Sequence, residues 1–255
     1  MKRKSIKRLA VLGAIGYAGA LARLKPQPSD LVDLEWQREA PLRLTMLGLT
    51  KLMPWLYGTR GEEGVKALQY VFYQVGVDRA QLLKHALDID PNDARSLGRV
   101  LDYEDGMVGV RGIWTEENMG RAVKEERRCP AADELAACPE VCTCLMMAME
   151  AGTFSIINPQ LKVPEITKLL SKGDDCCLAV IEVPSAGAWA GQVSPQATQD
   201  EFAPVIKVPG LQGRLMARAM LSLGRALYAL ATGSQEKMMW YEFFRYEPGA
   251  RQGEG

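Results

Sequence analysis

Cys129-Pro130, Cys138-Pro-Glu-Val-Cys142-Thr-Cys144 and Gly173-Asp-Asp-Cys176-Cys177 hold every cysteine of the chain, six thiols within 49 of 255 residues. Scattered structural cysteines do not concentrate this way. Two readings stand. These are small buried hydrophobes, or folding joins two sequence-distant halves into one thiolate site. Thiolates bind soft or borderline metals and act as nucleophiles. The same stretch decides the fold. It predicts a helix over 131–151 carrying Cys138, Cys142 and Cys144, and a strand over 176–183. Cys138 and Cys142 are four apart, which puts them on one side of a helix, with Cys144 pointing away. One core must bring that helix against that strand, so Cys142 and Cys177 are expected to approach each other.

Outward from this stretch, apolar residues at helical spacing predict helices over 31–57 and 62–87, with Pro41 breaking or kinking the first and Gly76 interrupting the second. A short helix over 93–102 follows. Asp102-Tyr-Glu104-Asp105-Gly106 reads as a solvated loop. Met107 to Trp114 alternates like a strand. Thr115 opens a helix whose charged run, Arg121 to Arg128, reads as an exposed face. Strands are also expected at 154–157 and 237–246, a helical turn or two after Pro164, a surface connection over 184–200 and an amphipathic helix over 211–232. The fold class is therefore α+β, a helical N-terminal half with a small sheet packed by helices. Residues 29–248 form a single domain with its cysteine-rich core at 107–183, and 249–255 are a tail.

Composition bounds the function. Formal net charge is zero, which gives no basis for a nucleic-acid partner. Six cysteines are too few for a secreted disulfide scaffold, so a reducing, cytoplasmic compartment is expected. The single histidine, His85, excludes sites that need two. Residues 1–28 stand apart. Lys2, Arg3, Lys4, Lys7 and Arg8 precede an uncharged apolar run over 9–22. The pattern fits a signal peptide ending at Ala20-Leu21-Ala22, or an anchor that holds residues 2–22 at an anionic membrane surface. Gly13, Gly16 and Gly19 also resemble a dinucleotide turn, but no alternation of strands and helices follows them.

Trp114-Thr-Glu-Glu117, Arg128-Cys-Pro130, Cys138-Pro-Glu-Val-Cys142, Ile157-Asn-Pro159 and Gly173-Asp-Asp-Cys-Cys177 resemble the L-2-amino-thiazoline-4-carboxylic acid hydrolase family over roughly residues 65–185. The resemblance implies opening of a small cyclic amidine at a C–N bond. A more distant likeness is to 4-vinyl-reductase-type ligand-binding domains, some of which hold a structural zinc. It implies Cys142, Glu165 and Cys177 as metal ligands, with Lys168 where a further cysteine is expected. Cys138, Cys176 or water would then supply the fourth ligand. An open zinc position would activate water.

The rival mechanism is a thiolate attack, with Cys129 favoured by the neighbouring Arg127 and Arg128 and Cys142 as the other catalytic cysteine. Two function classes stay open: a hydrolase of a small cyclic amidine-like C–N bond, and a non-catalytic small-ligand or metal-binding module, membrane-attached or not.

Overall fold

Helical periodicity in the N-terminal half produces two long helices, α1 (Leu34–Arg60) and α2 (Glu62–Ala86). The computed structural model describes residues 34–162, 165–184, 202–203 and 205–246. After α2 come α3 (Ala94–Leu97) and α4 (Arg99–Val108). The Asp93 carboxylate caps α3 by accepting from the backbone N–H groups of Arg95 and Ser96. Gly109 ends α4 in the left-handed region, φ 83°, and its N–H donates to the Asp105 carbonyl. Strands β1 (Arg111–Glu117) and β2 (Arg121–Arg128) form a hairpin. Then come α5 (Ala132–Leu135), a π-helical segment (Val141–Met146) and α6 (Met147–Ile157). The two-residue β3 (Glu165–Ile166), a 3-10 turn (Leu170–Lys172) and β4 (Cys177–Glu182) complete the sheet. α7 (Leu211–Thr232) and a 3-10 turn (Tyr241–Phe243) close the described chain. The sheet order is β1-β2-β4-β3 and every pairing is antiparallel. The fold is α+β with helices packed on the sheet.

Apolar burial is divided among three clusters. The first joins α2, α3, α4 and α6 to the sheet through Leu83, Leu97, Val100, Trp114, Phe154 and Ile181. The second lies between α1, α2, α5 and the π-helical segment, around Met53, Val65, Leu135 and Leu145. The third lies between α2, α6, α7 and the chain after it, around Tyr73, Ala151 and Ala226.

Gly76 does not interrupt α2; it lets α6 touch it. A Cβ on Gly76 would collide with the Met149 carbonyl, and one on Gly152 with the Tyr73 carbonyl. The two glycines face each other's helix, so the backbones cross without side chains between them.

Several expectations are corrected. Met107 and Val108 finish α4, because Gly109 is the helix-ending glycine; the strand starts at Arg111. The charged run 121–128 is β2 and not a helix. Its turn is set by Asn118, whose side-chain oxygen accepts from the N–H groups of Gly120 and Arg121. Residues 154–157 end α6; a short apolar run buried on all sides has no period that separates helix from strand. The expected helix over 131–151 is divided around Pro139 into α5, the π-helical segment and the start of α6. After Pro164 the chain forms β3 before its 3-10 turn. Residues 237–246 make no strand, since Trp240 adopts φ 58° before the 3-10 turn. Pro41 and Pro54 both lie inside a continuous α1. The segment 1–28, the tail 249–255 and most of 184–200 lie outside the described residues.

Gly152→Ala should cost about 1–3 kcal/mol through overpacking against α2. Urea denaturation measures it, and an unchanged midpoint would mean that the helices part at no cost.

Candidate functional site

Strand pairing sets Glu126 in a row across the sheet, between Gly112 of β1 and Cys177 of β4. Lys124 lies in the next row, between Trp114 and Ala179. Residues two apart share a face, so both rows look the same way. Directly opposed residues on antiparallel strands have Cβ atoms roughly 4.5–5.5 Å apart, which makes Glu126 and Cys177 neighbours by construction. The β1 partner of Glu126 is Gly112, where the two strand backbones approach closely. A side chain at that position is barred: a Cβ on Gly112 would lie 2.7 Å from the Glu125 carbonyl oxygen.

α4 covers this face with carboxylates. Lys124 is fully buried, and its Nζ donates to Asp102 Oδ1 at 2.9 Å and to Asp105 Oδ2 at 2.6 Å. Trp114 Nε1 also donates to Asp102 at 2.9 Å. Arg95 pairs with the other Asp102 oxygen at 3.1 Å and stacks 4.4 Å from the Trp114 ring. Burial works to lower the Lys124 pKa, but the charges of Asp105 and Asp102 outweigh it, and the net shift is upward. Burial lifts Asp105 above its ordinary value against the pull of Lys124. Further along α4, Glu104 meets Arg79 of α2 at 2.5 Å, and the same guanidinium holds Glu150 of α6 at 2.7 Å and donates to the Thr153 hydroxyl at 2.8 Å. Burial raises Glu104 well above the carboxylate range despite Arg79, and the Glu150 charge adds to the rise.

Glu126 differs from these. It has no hydrogen bond and no ion pair in contact among the described residues. Lys124, two residues away, is committed to α4. Burial pushes Glu126 up to about 8, with the charge of Asp105 adding to the shift and Lys124 opposing it. Yet Glu126 keeps partial exposure, as do Asp105, Cys129, Cys142 and Cys177.

Three thiols complete the wall. Cys129 follows β2, Cys142 sits in the first turn of the π-helical segment, and Cys177 opens β4. These three are half-buried, whereas Cys138, Cys144 and Cys176 are buried. Burial raises Cys142 far above the usual thiol range, and the neighbouring Cys129 and Cys177 add to the rise. The Ser171 hydroxyl opposes that rise, although it makes no well-formed hydrogen bond among the described residues. Burial carries Cys177 to about 12, against the Leu170 N–H that donates to its sulfur at 3.4 Å. Cys129 rises least, to about 11, because the Ala131 N–H opposes burial while Glu126 adds to it. All three are neutral thiols near pH 7.

The local-charge argument for Cys129 is therefore corrected. Arg127 pairs with Glu125 at 3.0 Å, and Arg128 with Glu39 at 2.7 Å. Alternation along β2 turns Arg127 away, and neither guanidinium depresses the thiol. Cys138 does not share a helix side with Cys142. It precedes Pro139, packs with Leu135 and Val141, and donates to Glu140 Oε2 at 3.4 Å. Glu165 opens β3 opposite Val180, and its carboxylate lies outside the described side chains. Lys168 is exposed and paired with Asp175 at 3.0 Å. His85 is exposed near the end of α2. Among the described residues, no three His, Cys, Asp or Glu side chains gather closely enough to hold a metal ion. The described donors do not by themselves fit zinc.

The sequence reading missed Asp102, Glu104, Asp105, Lys124, Glu126, Arg79 and Glu150. Two signals pointed to them: the helix-ending Gly109 places the acidic triplet on a helix, and the Asn118–Gly120 turn places the charged run on a strand. No known family model matches the chain, and no curated protein matches it either.

Lys124→Met strands two buried carboxylates and should cost about 3–5 kcal/mol; the double variant with Asp102→Asn should recover part of that. Chemical denaturation of the three proteins tests it. Glu126 has its own pH signature. Its folded pKa is raised, so the native state holds a proton the unfolded chain releases, and its contribution to stability falls as pH climbs from near 4.5 to about 8. The stability difference between wild type and Glu126→Gln should drift in that sense over this window and level off above it.

Proposed function

We propose that the chain is a hydrolase of a small cyclic amidine-like C–N bond, with Glu126 as its general acid–base. One observation carries the reading: a partly exposed carboxylate without a counter-ion in contact stands beside neutral thiols. Such a group is costly to the fold and repays that cost by moving protons. The sequence resemblance to thiazoline-carboxylate hydrolases agrees with it.

The chemistry needs one proton carrier. Glu126 takes a proton from water as the water oxygen bonds to the amidine carbon, and passes it to the ring nitrogen, so that the amidine C=N becomes a single C–N bond in a tetrahedral adduct. Glu126 then takes the proton of the adduct's hydroxyl and delivers it to the same nitrogen as the C–N bond breaks and the C=O bond forms. The free amine leaves, the carboxylate is regenerated and the ring is open. Cys129, Cys142 and Cys177 form a soft, weakly polar wall suited to a sulfur-containing ring. Asp105 and its partner Lys124 keep the floor of the site fixed.

A binding module is the second reading, favoured by the convergence of three half-buried thiols. The two separate on 2-amino-thiazoline-4-carboxylate. Wild type should open the ring, with kcat/KM rising as Glu126 deprotonates near pH 8. Glu126→Gln should lower kcat by about 10²–10⁴-fold with the fold intact. Cys129→Ser should stay within about tenfold, because water and not sulfur attacks. A Cys129→Ser enzyme that is dead but folded would transfer the nucleophile's role to Cys129. Binding of the ring without opening would establish the module instead.

A further inference from the structure

We propose that the outer face of α7 docks the chain on an anionic lipid surface. α7 is tied to the body along one narrow seam. Leu211, Ser222 and Ala226 are buried. Asp78 of α2 accepts from Ser222 Oγ at 2.7 Å and from Arg225 Nη1 at 2.7 Å, and its backbone carbonyl accepts from Arg218 Nη1 at 3.1 Å. Leu215 packs on the first apolar cluster and Ala229 and Leu230 on the third, while the opposite face is open and apolar among the described residues. Met216, Met220, Leu221 and Tyr228 are between 62% and 71% exposed, well beyond what a packed helix leaves out. With Leu223 they span roughly 160° of arc at about 100° per residue. Every other position in that arc is leucine, glycine or alanine, and no charge interrupts it. An apolar patch of this extent marks an interaction.

Charge selects the occupant. α7 carries Arg214, Arg218 and Arg225 and no acidic residue in its 22 positions. On the helical wheel the three arginines line up along one edge of the apolar arc. A basic edge beside an apolar face is the pattern of a helix lying in a membrane interface, its arginines among anionic headgroups. A second copy of the chain fits less well, because an antiparallel pairing of these faces brings two arginine rows of like charge together. The N-terminal stretch adds an independent attachment signal: five basic residues within 1–8, then an uncharged run over 9–22. One weak signal gives only reversible attachment, and two give stable attachment. No described helix is long and apolar enough to cross a membrane, which suits a surface contact.

Flotation of the full-length chain with vesicles tests this. Vesicles of phosphatidylcholine mixed equally with phosphatidylglycerol should carry the protein up the gradient, and pure phosphatidylcholine should carry far less. Met220→Glu with Leu221→Glu should cut the fraction bound to anionic vesicles at least about tenfold, through lost apolar burial and added repulsion. Circular dichroism and ring opening should stay at the wild-type level, since both side chains face outward. The proposal is overturned if the double variant floats like wild type, which would leave the N-terminal stretch as the whole anchor. It is equally overturned if neither vesicle binds, or if wild type sediments as a dimer that the double variant dissolves.

Discussion

The molecule depends on one contact, the backbone-to-backbone crossing of α2 and α6 at Gly76 and Gly152. Everything that enters the site from these helices is placed by it. Arg79 lies one turn beyond Gly76, and Glu150 and Thr153 flank Gly152, so the close approach puts the guanidinium within hydrogen-bond reach of both. The same crossing fixes the π-helical segment that leads into α6. Its wider turns keep Val141, Cys144 and Leu145 in the core while Cys142 reaches the site. A methyl group at either glycine would push the helices apart and carry the thiol and the acids with them.

Around this crossing the interior is unusually charged for so small a sheet. Burying an ion costs several kcal/mol, recovered only where geometry supplies a partner. Lys124 with Asp102 and Asp105, and Arg79 with Glu104 and Glu150, meet that condition. Each set clamps α4, Lys124 to the sheet and Arg79 to the α2–α6 pair, so the two networks orient one short helix. Glu126 is left over. Its neighbours neither neutralise it nor remove it from solvent. The thiols beside it are held protonated by the same desolvation. The acid–base role proposed for Glu126 rests on that imbalance.

α7 stands apart from this economy. Among the described residues, Asp78 is the carboxylate that its Arg225 pairs with, and the outer face of α7 is apolar and exposed. A helix needed only for the core would place its leucines and methionines inward.

The sequence by itself determined the α+β class, the long helices before residue 87, the helix over 211–232 and the strand that Cys177 opens. Helical and strand periods are local properties, and each of these segments has a clear one. Tertiary structure decided the rest. Arg121 to Arg128 is charged at nearly every position, so its period of two is invisible until the Asn118 turn pairs it with β1. Asp102 to Asp105 looks solvated until Lys124 arrives from another strand to be buried against it. Cys129 looks activated until β2 alternation sends Arg127 to Glu125 and Arg128 to Glu39. A charge's meaning lies in its desolvation and its partner, and both come from residues far away in the chain.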